Sequence, residues 1–408
     1  MSPDDSGELD PSKIIDQYIV EQNLIDSFAR RVMEKIKTKL RIGKIRRKSV
    51  TRKTIKTDHT VAHHCLIADY FSEDPLYPES MFRTRFRMGR PLFLRIVSAL
   101  GRWSPYFTLK VDCSGRQGLS PLQKCTTTMR MLAYGSPADS LDEYLKIGKS
   151  TSLQCLDMFA RGVIEVFGSE YLRRPTYEDV ERILQVNESR GFPGMLGSID
   201  CMHWRWEKCP TAWRGQFTRG DYGVPTIILE AVATRDLRIW HAFFGVAGSN
   251  NDINVLNQSP LFLDVLKGEA PRVKFSVNGN EYNTGYYLAD GIYPEWATFV
   301  KSIAAPQTGK HKLYAQYQEG ARKDVECAFG VLQSHFNIVR HPARSWKRKS
   351  VGRIMKACII LHNMIVENER GGGTMENFGA SFLVLSAMVL GGSEGAQFGR
   401  LAACFGSA

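Results

Sequence analysis

Four carboxylates stand where carboxylates can do metal chemistry. Asp200 follows the apolar run Met195–Ile199, and Asp290 follows Tyr286–Ala289. If both runs are strands, both acids lie at their carboxyl ends, the edge where open sheets place ligands. Glu326 lies in a helical stretch whose apolar stripe is Val325, Ala328, Phe329, Leu332 and Phe336. At about 100° per residue it sits on the flank of that stripe, within reach of the sheet edge. Asp252, in 249-SNND-252, opens the helix after the third strand and points to the same end. Two like charges about 4 Å apart repel by roughly 4 kcal/mol at an effective dielectric near 20, so such a cluster must share protons or hold cations. Oxygen-only ligation suits Mg²⁺ or Mn²⁺. Two such ions activate a water or a sugar hydroxyl and stabilise the leaving oxygen of a phosphodiester displacement, the chemistry of a nuclease or strand-transferase. Each acid also has a structural reading. An Asp at a strand end commonly serves a turn, and Asp252 ahead of Ile253, Val255 and Leu256 suits a helix N-cap or first turn.

The elements that must position these acids follow from periodicity. Met195–Ile199, Thr226–Ala233, Leu237–Val246 and Gly285–Ala289 are short apolar, β-branched or aromatic runs bounded by turn residues, as strands are. The tripeptide 234-TRD-236 links the second and third as a hairpin would. Asn251–Leu266, Arg322–Val339 and Ile354–Val366 carry helical spacing. Strands followed by alternating helix and strand predict an α/β fold, a mixed sheet flanked by helices. Upstream, Arg90–Leu100, Leu122–Tyr134, Ala138–Ile147 and Ser150–Phe167 read as helices, the last three joined by 135-GSP-137 and 148-GKS-150. That pattern suits a helix-turn-helix and an ordinary helical bundle equally.

The chain has 408 residues and a net charge of +12, so an acidic partner such as nucleic acid is the first to test. The charge is uneven: residues 1–29 carry −6, residues 30–57 carry +12, and the remainder +6. Hydrophobic content of 43% places the chain among globular proteins. The most apolar stretch, Ala380–Leu390, falls short of the roughly 18–20 residues of a membrane span, so no membrane role is expected. The acidic N-terminus lacks a secretory pattern. Nine scattered cysteines without a CxxC pair predict reduced thiols and exclude a disulfide scaffold. The organisation expected is a disordered acidic head and basic arm over 1–57, a helical region over 58–190, the sheet domain over 191–370, and a glycine-rich tail over 371–408.

Longer blocks point further. The stretches 197-GSIDCMHWRWEKCPTAWRGQFTRGD-221, 240-WHAFFGVAGSNNDINVL-256, 286-YYLADGIYPEWATFV-300, 322-RKDVECAFGVL-332 and 358-CIILHNMIVENER-370 resemble the plant-type PIF/Harbinger transposases and their domesticated, transposase-derived nuclease relatives. The likeness is dense over Gly197–Arg370 and ordered back to about Tyr70. It implies an RNase H-like fold with a DDE site, preceded by a helix-turn-helix within Ser120–Phe167. Asp200, Asp290 and Glu326 would then be the catalytic acids, with Asp252 a further metal ligand and Mg²⁺ or Mn²⁺ the cofactor. The resemblance also implies DNA as substrate, a nuclear location and a separate Myb-like partner. Some relatives serve as chromatin-associated factors, so a catalytically silent DNA- or chromatin-binding adaptor is the alternative. Two departures bear on that choice. Cys327 stands where the family usually has Arg, removing a cation beside Glu326. The segment after Arg370 is glycine-rich and apolar where the family is polar and charged, as an altered exon or shifted reading frame would produce.

Smaller clusters carry rival readings. Arg205, Lys208, Arg214 and Arg219 interleave with Trp204, Trp206 and Trp213, which suits phosphates and bases or a loop whose tryptophans cap the core. Cys201, His203 and Cys209 suggest zinc but lack a second ligand pair, which favours ordinary thiols. His59, His63, His64 and Cys65 are similar. The arm 44-KIRRKSVTRK-53 suits nuclear import, phosphate binding or plain solubility, and 347-KRK-349 is a weaker basic tract.

Overall fold

The computed structural model describes residues 11–42, 57–220, 223–263, 267 and 273–371. The chain divides into two compact units, Met1–Lys56 and Thr57–Ala408. In the first, α1 (Pro11–Ile42) is one helix of 32 residues where a disordered head was expected. The apolar spacing of that segment accounts for it, with Val20, Leu24, Phe28, Val32 and Ile36 recurring every four residues. The arm 44–53 and the tail beyond Gly371 lie outside the described residues.

The second unit begins with helices whose ends the sequence encodes. Asp58 accepts the Thr60 and Val61 amides to start α2 (His59–Tyr70), followed by α3 (Glu79–Phe86) and α4 (Arg90–Trp103). A Ser120/Gln123 capping box starts α5 (Pro121–Tyr134), and a Thr176/Asp179 box starts α8 (Tyr177–Ser189). Between them lie α6 (Asp142–Leu145) and α7 (Lys149–Tyr171). The helix expected over Ala138–Ile147 shrinks to the four residues of α6. Ser140 turns its amide and hydroxyl onto the Pro137 carbonyl, and that local bonding competes with helix. Helix α5 is buried nearly all round, and its Thr127 and Thr128 hydroxyls donate to the Gln123 and Lys124 carbonyls one turn earlier.

Five strands form one mixed sheet in the order β3–β2–β1–β6–β7: β1 (Met195–Arg205), β2 (Thr226–Ala233), β3 (Ile239–Ala247), β6 (Tyr286–Leu288) and β7 (Phe299–Val300). The β1–β2 and β2–β3 pairs are antiparallel, and β6 lies parallel to both β1 and β7. A separate hairpin comprises β4 (Phe275–Val277) and β5 (Asn280–Tyr282). Strand β2, TIILEAVA, is buried on both faces, as a strand covered on both sides must be. Ile227, Leu229, Ala231 and Ala233 face the large core, while Ile228 and Val232 face smaller clusters beside α10 (Asp252–Leu256). Helices α11 (Gly309–Arg322), α12 (Asp324–His335), α13 (Asn337–Arg340) and α14 (Arg348–Gly371) complete the unit.

The single helix expected over Arg322–Val339 is therefore the end of one helix and two further pieces. Ser198 of β1 donates its hydroxyl to the Ala321 carbonyl at 2.9 Å, taking an acceptor that a continuing helix would use. At Phe336 the backbone leaves the helical region and the side chain is fully buried. One core cluster runs from Leu66 through the sheet to Ile365, so helical region and sheet share a unit, and the change near residue 190 is a change of layer within it.

Candidate metal and nucleic-acid site

Asp200 lies in the middle of β1, not at a strand end as its flanking sequence suggested. The reason is a change of partner. The β1–β6 pairing stops at Ser198–Leu288, while the pairing to β2 continues from Ser198 to Arg205. Extended by two residues, the β1–β6 register sets Asp200 beside Asp290, with neighbouring strands about 4.8 Å apart. A register shift between Met195 and Gly197 sets this frame. Gly197 has φ +155°, and a Cβ there would stand 2.7 Å from the Ala233 carbonyl oxygen. Only glycine fits, three residues before the acid.

Alternation along β1 divides the acids between the two faces of the sheet. Ile199 and Cys201 pack on the face bearing α10, so Asp200 turns the other way, toward α11 and α12. There the Arg322 guanidinium lies between two carboxylates, Nη1 at 3.6 Å from Asp200 Oδ2 and Nη2 at 2.9 Å from Glu326 Oε1. Asp200 Oδ1 also accepts the Cys201 amide at 2.8 Å. Burial pushes the Asp200 carboxyl up to about 6; Glu326 and Asp252 add to the rise, and the Cys201 amide and Arg322 oppose it. On the other face Asp252 is the first residue of α10, capped by the preceding Asn251, and accepts from the Cys201 thiol. Burial raises its carboxyl too, the charge of Asp290 adds, and His203 and Arg219 pull it down. Asp290 is half-buried, and its Oδ1 accepts the Ile292 amide at 2.6 Å. The four acids thus form a chain of coupled charges, Glu326 to Asp200, Asp200 to Asp252, and Asp252 to Asp290.

The donors are all oxygen and short of positive charge, which suits a hard divalent cation. Among the described residues no three His, Cys, Asp or Glu side chains are grouped to hold one ion. Arg322 stands between two of the acids, and Asp252 opens from the opposite face. Sequence reasoning missed Arg322, although its spacing of four residues from Glu326 on a helical stretch is the signal of an ion pair.

The neighbouring clusters sort clearly. Trp204 and Trp206 are buried and donate their ring N–H groups to the His341 and Ser345 carbonyls, so they cap the core. Trp213 on α9 (Thr211–Phe217) is 44% exposed, and Arg205, Lys208 and Arg214 are exposed around it. His203 spends Nδ1 on the Thr226 hydroxyl at 2.9 Å, with Nε2 3.4 Å from Arg219, leaving no nitrogen for zinc with Cys201 or Cys209. His63 meets the Ser120 hydroxyl at 3.0 Å, and Cys65 is exposed. Beneath the α10 face Glu230 is fully buried and accepts from His241 and Ser259, a network invisible in sequence because its partners are 11 and 29 residues away.

Comparison with known proteins agrees with the blocks read from sequence. A family model described as plant transposon protein matches residues 169–373, and a domain of unknown function matches residues 63–101. A protein from Arabidopsis thaliana named Protein ALP1-like is 24% identical over 298 residues, covering 71% of each chain. No solved structure matches.

Proposed function

The chain belongs to the plant transposon protein family, a lineage of Harbinger transposase descent, and from that premise we propose that it is a divalent-metal-dependent DNA endonuclease of the nucleus. The observation that carries the proposal is the chain of electrostatically linked acids on β1, just after β6, at the start of α10 and on α12, with the Asp200 carboxyl raised to about 6 by burial and then by Glu326 and Asp252. The sheet order and the acid on α12 fit an RNase H-like core with a DDE site. Asp200, Asp290 and Glu326 would hold Mg²⁺ or Mn²⁺, with Asp252 as a further ligand. When bound, such ions supply Lewis acidity at the phosphodiester and an activated attacking hydroxyl.

The protein's own residues do the rest. The Cys201 amide and the β1 backbone fix the Asp200 carboxylate, so little reorganisation is left for the reaction itself. Arg205, Lys208 and Arg214 meet phosphates, and the exposed face of Trp213 stacks a base. Helices α5 to α7 supply the helix-turn-helix element, with Lys149, Ser150, Leu153 and Gln154 exposed at the start of α7 for DNA contact. A Myb-like protein is the expected recruiting partner.

The placement of Arg322 between Asp200 and Glu326 favours one second reading, a DNA- or chromatin-binding adaptor that keeps the fold without cleavage. Plasmid nicking by purified protein with Mn²⁺ or Mg²⁺ separates the two. The nuclease nicks with metal and loses activity in Asp200→Ala and Asp290→Asn. An adaptor binds DNA and leaves it intact, and equal activity in both mutants would remove these acids from the site.

A further inference from the structure

The ion pairs of Asp200 and Glu326 both go to one side chain. Arg322 is the last residue of α11; Lys323 makes the joint, and Glu326 is on the first turn of α12. A single guanidinium therefore touches acids on two different elements, one N–H edge to each. Its charge is permanent, its fork is planar, and its side chain is only 21% exposed, as is that of Asp200. The Arg expected after Glu326 is Cys327 here, so the cation beside this acid comes from four residues upstream.

We infer that Arg322 is a tethered counter-cation that competes with a divalent metal ion for Asp200 and Glu326, a role that rests on the metal-site reading above. The guanidinium already lies against Asp200 Oδ2 and Glu326 Oε1 and neutralises charge that a divalent ion would draw on, so an ion that ligates through those oxygens works against the Arg322 pair and displaces it. The geometry permits this without moving a helix, because the arm springs from the end of α11 and its stem alone can swing. The metal-free protein thereby keeps part of its acid charge neutralised, at the cost of metal affinity.

Titration calorimetry of MnCl₂ into the full-length protein tests this with wild type, Arg322→Gln, Arg322→Lys and Lys312→Gln. Lys312 lies on the exposed side of α11 and controls for a general loss of positive charge. Arg322→Gln should bind Mn²⁺ about ten-fold more tightly, Arg322→Lys should fall between it and wild type, and Lys312→Gln should match wild type. In melts without metal, Arg322→Gln should unfold at a lower temperature than wild type, and saturating Mn²⁺ should close that gap. Wild-type-like or weaker binding by both Arg322 variants overturns the competition while leaving the metal site standing. No Mn²⁺ heat in any of the proteins overturns the metal site and the competition together. Should Arg322→Gln fail to fold, Arg322→Lys decides: tighter binding than wild type supports competition, and unchanged or weaker binding refutes it.

Discussion

Asp200 is ionised against resistance from its surroundings. Its carboxyl is raised from an ordinary 3.8 to about 6, first by burial and then by Glu326 and Asp252. A raised acid holds its proton more tightly folded than unfolded, so ionisation costs stability: the fold weakens as pH climbs from about 4 to about 6 and the loss is complete above that. Asp200→Asn should therefore stabilise the metal-free protein at pH 7.5 by about 1–3 kcal/mol, the worth of such a shift. Melts across pH should show this advantage closing below about pH 4, and a mutant less stable than wild type at every pH would contradict it. The same substitution should abolish nicking, so stability and activity move in opposite directions. Cys327 is a simpler case. Burial, with Asp324 and Glu326, raises its thiol, so it should stay protonated and react slowly. Iodoacetamide at pH 7.5 followed by mass mapping should label the exposed Cys65 and Cys113 well before Cys327.

Elements hold the acids through a few joints that local pattern does not reveal. Arg190, the C-cap of α8, grips Asp324 at the start of α12 with contacts of 2.6 and 3.2 Å, and Asp324 is 7% exposed. Arg190→Ala strands that carboxylate, which should cost about 3–5 kcal/mol and tilt the helix that carries Glu326. Denaturant melts measure the loss, and the double mutant Arg190→Ala, Asp324→Asn should recover part of it. Gly197→Ala pushes a methyl onto the Ala233 carbonyl and should disturb the frame of β1, lowering both stability and nicking. Much of this level was legible in sequence and some was not. Strand β2 and the core face of α12 announce themselves by continuous or periodic apolar residues. The apolar run that announces β1 is five residues long because Asp200 and His203 interrupt it, yet antiparallel pairing to β2 carries the strand on to Arg205. Helix α11 leaves little trace in the sequence because only Ala315, Gln318 and Ala321 of its 14 residues are buried, a thin apolar stripe. The pairing of Arg322 with Glu326 is written in their four-residue spacing, but its reach to Asp200 depends on how β1 and α11 pack, which local pattern does not carry.

At the scale of the whole chain, charge and core are divided differently. Residues 30–57 hold +12 while the acids sit in the body, whose own excess is +6. Removing residues 1–57 should weaken nonspecific DNA binding and flatten its dependence on salt, since fewer counterions are released, and leave Mn²⁺ binding unchanged. Filter binding at several salt concentrations measures the first effect and calorimetry the second. The core allows no such cut within the remainder. The match to the family model begins at residue 169, inside α7, but α7 packs along α14, Asn363 of α14 donates to the Tyr171 carbonyl at 2.7 Å, and Arg353 pairs with Asp157. A fragment begun at residue 169 or 191 would remove most or all of α7 and uncover the face of α14 that it packs along. Calorimetric unfolding of residues 58–371 should accordingly give one cooperative transition, and two resolved transitions would speak against a shared core. For recombination this sets a rule: the helical layer and the acid-bearing sheet cannot be exchanged separately between relatives, because they share one interior.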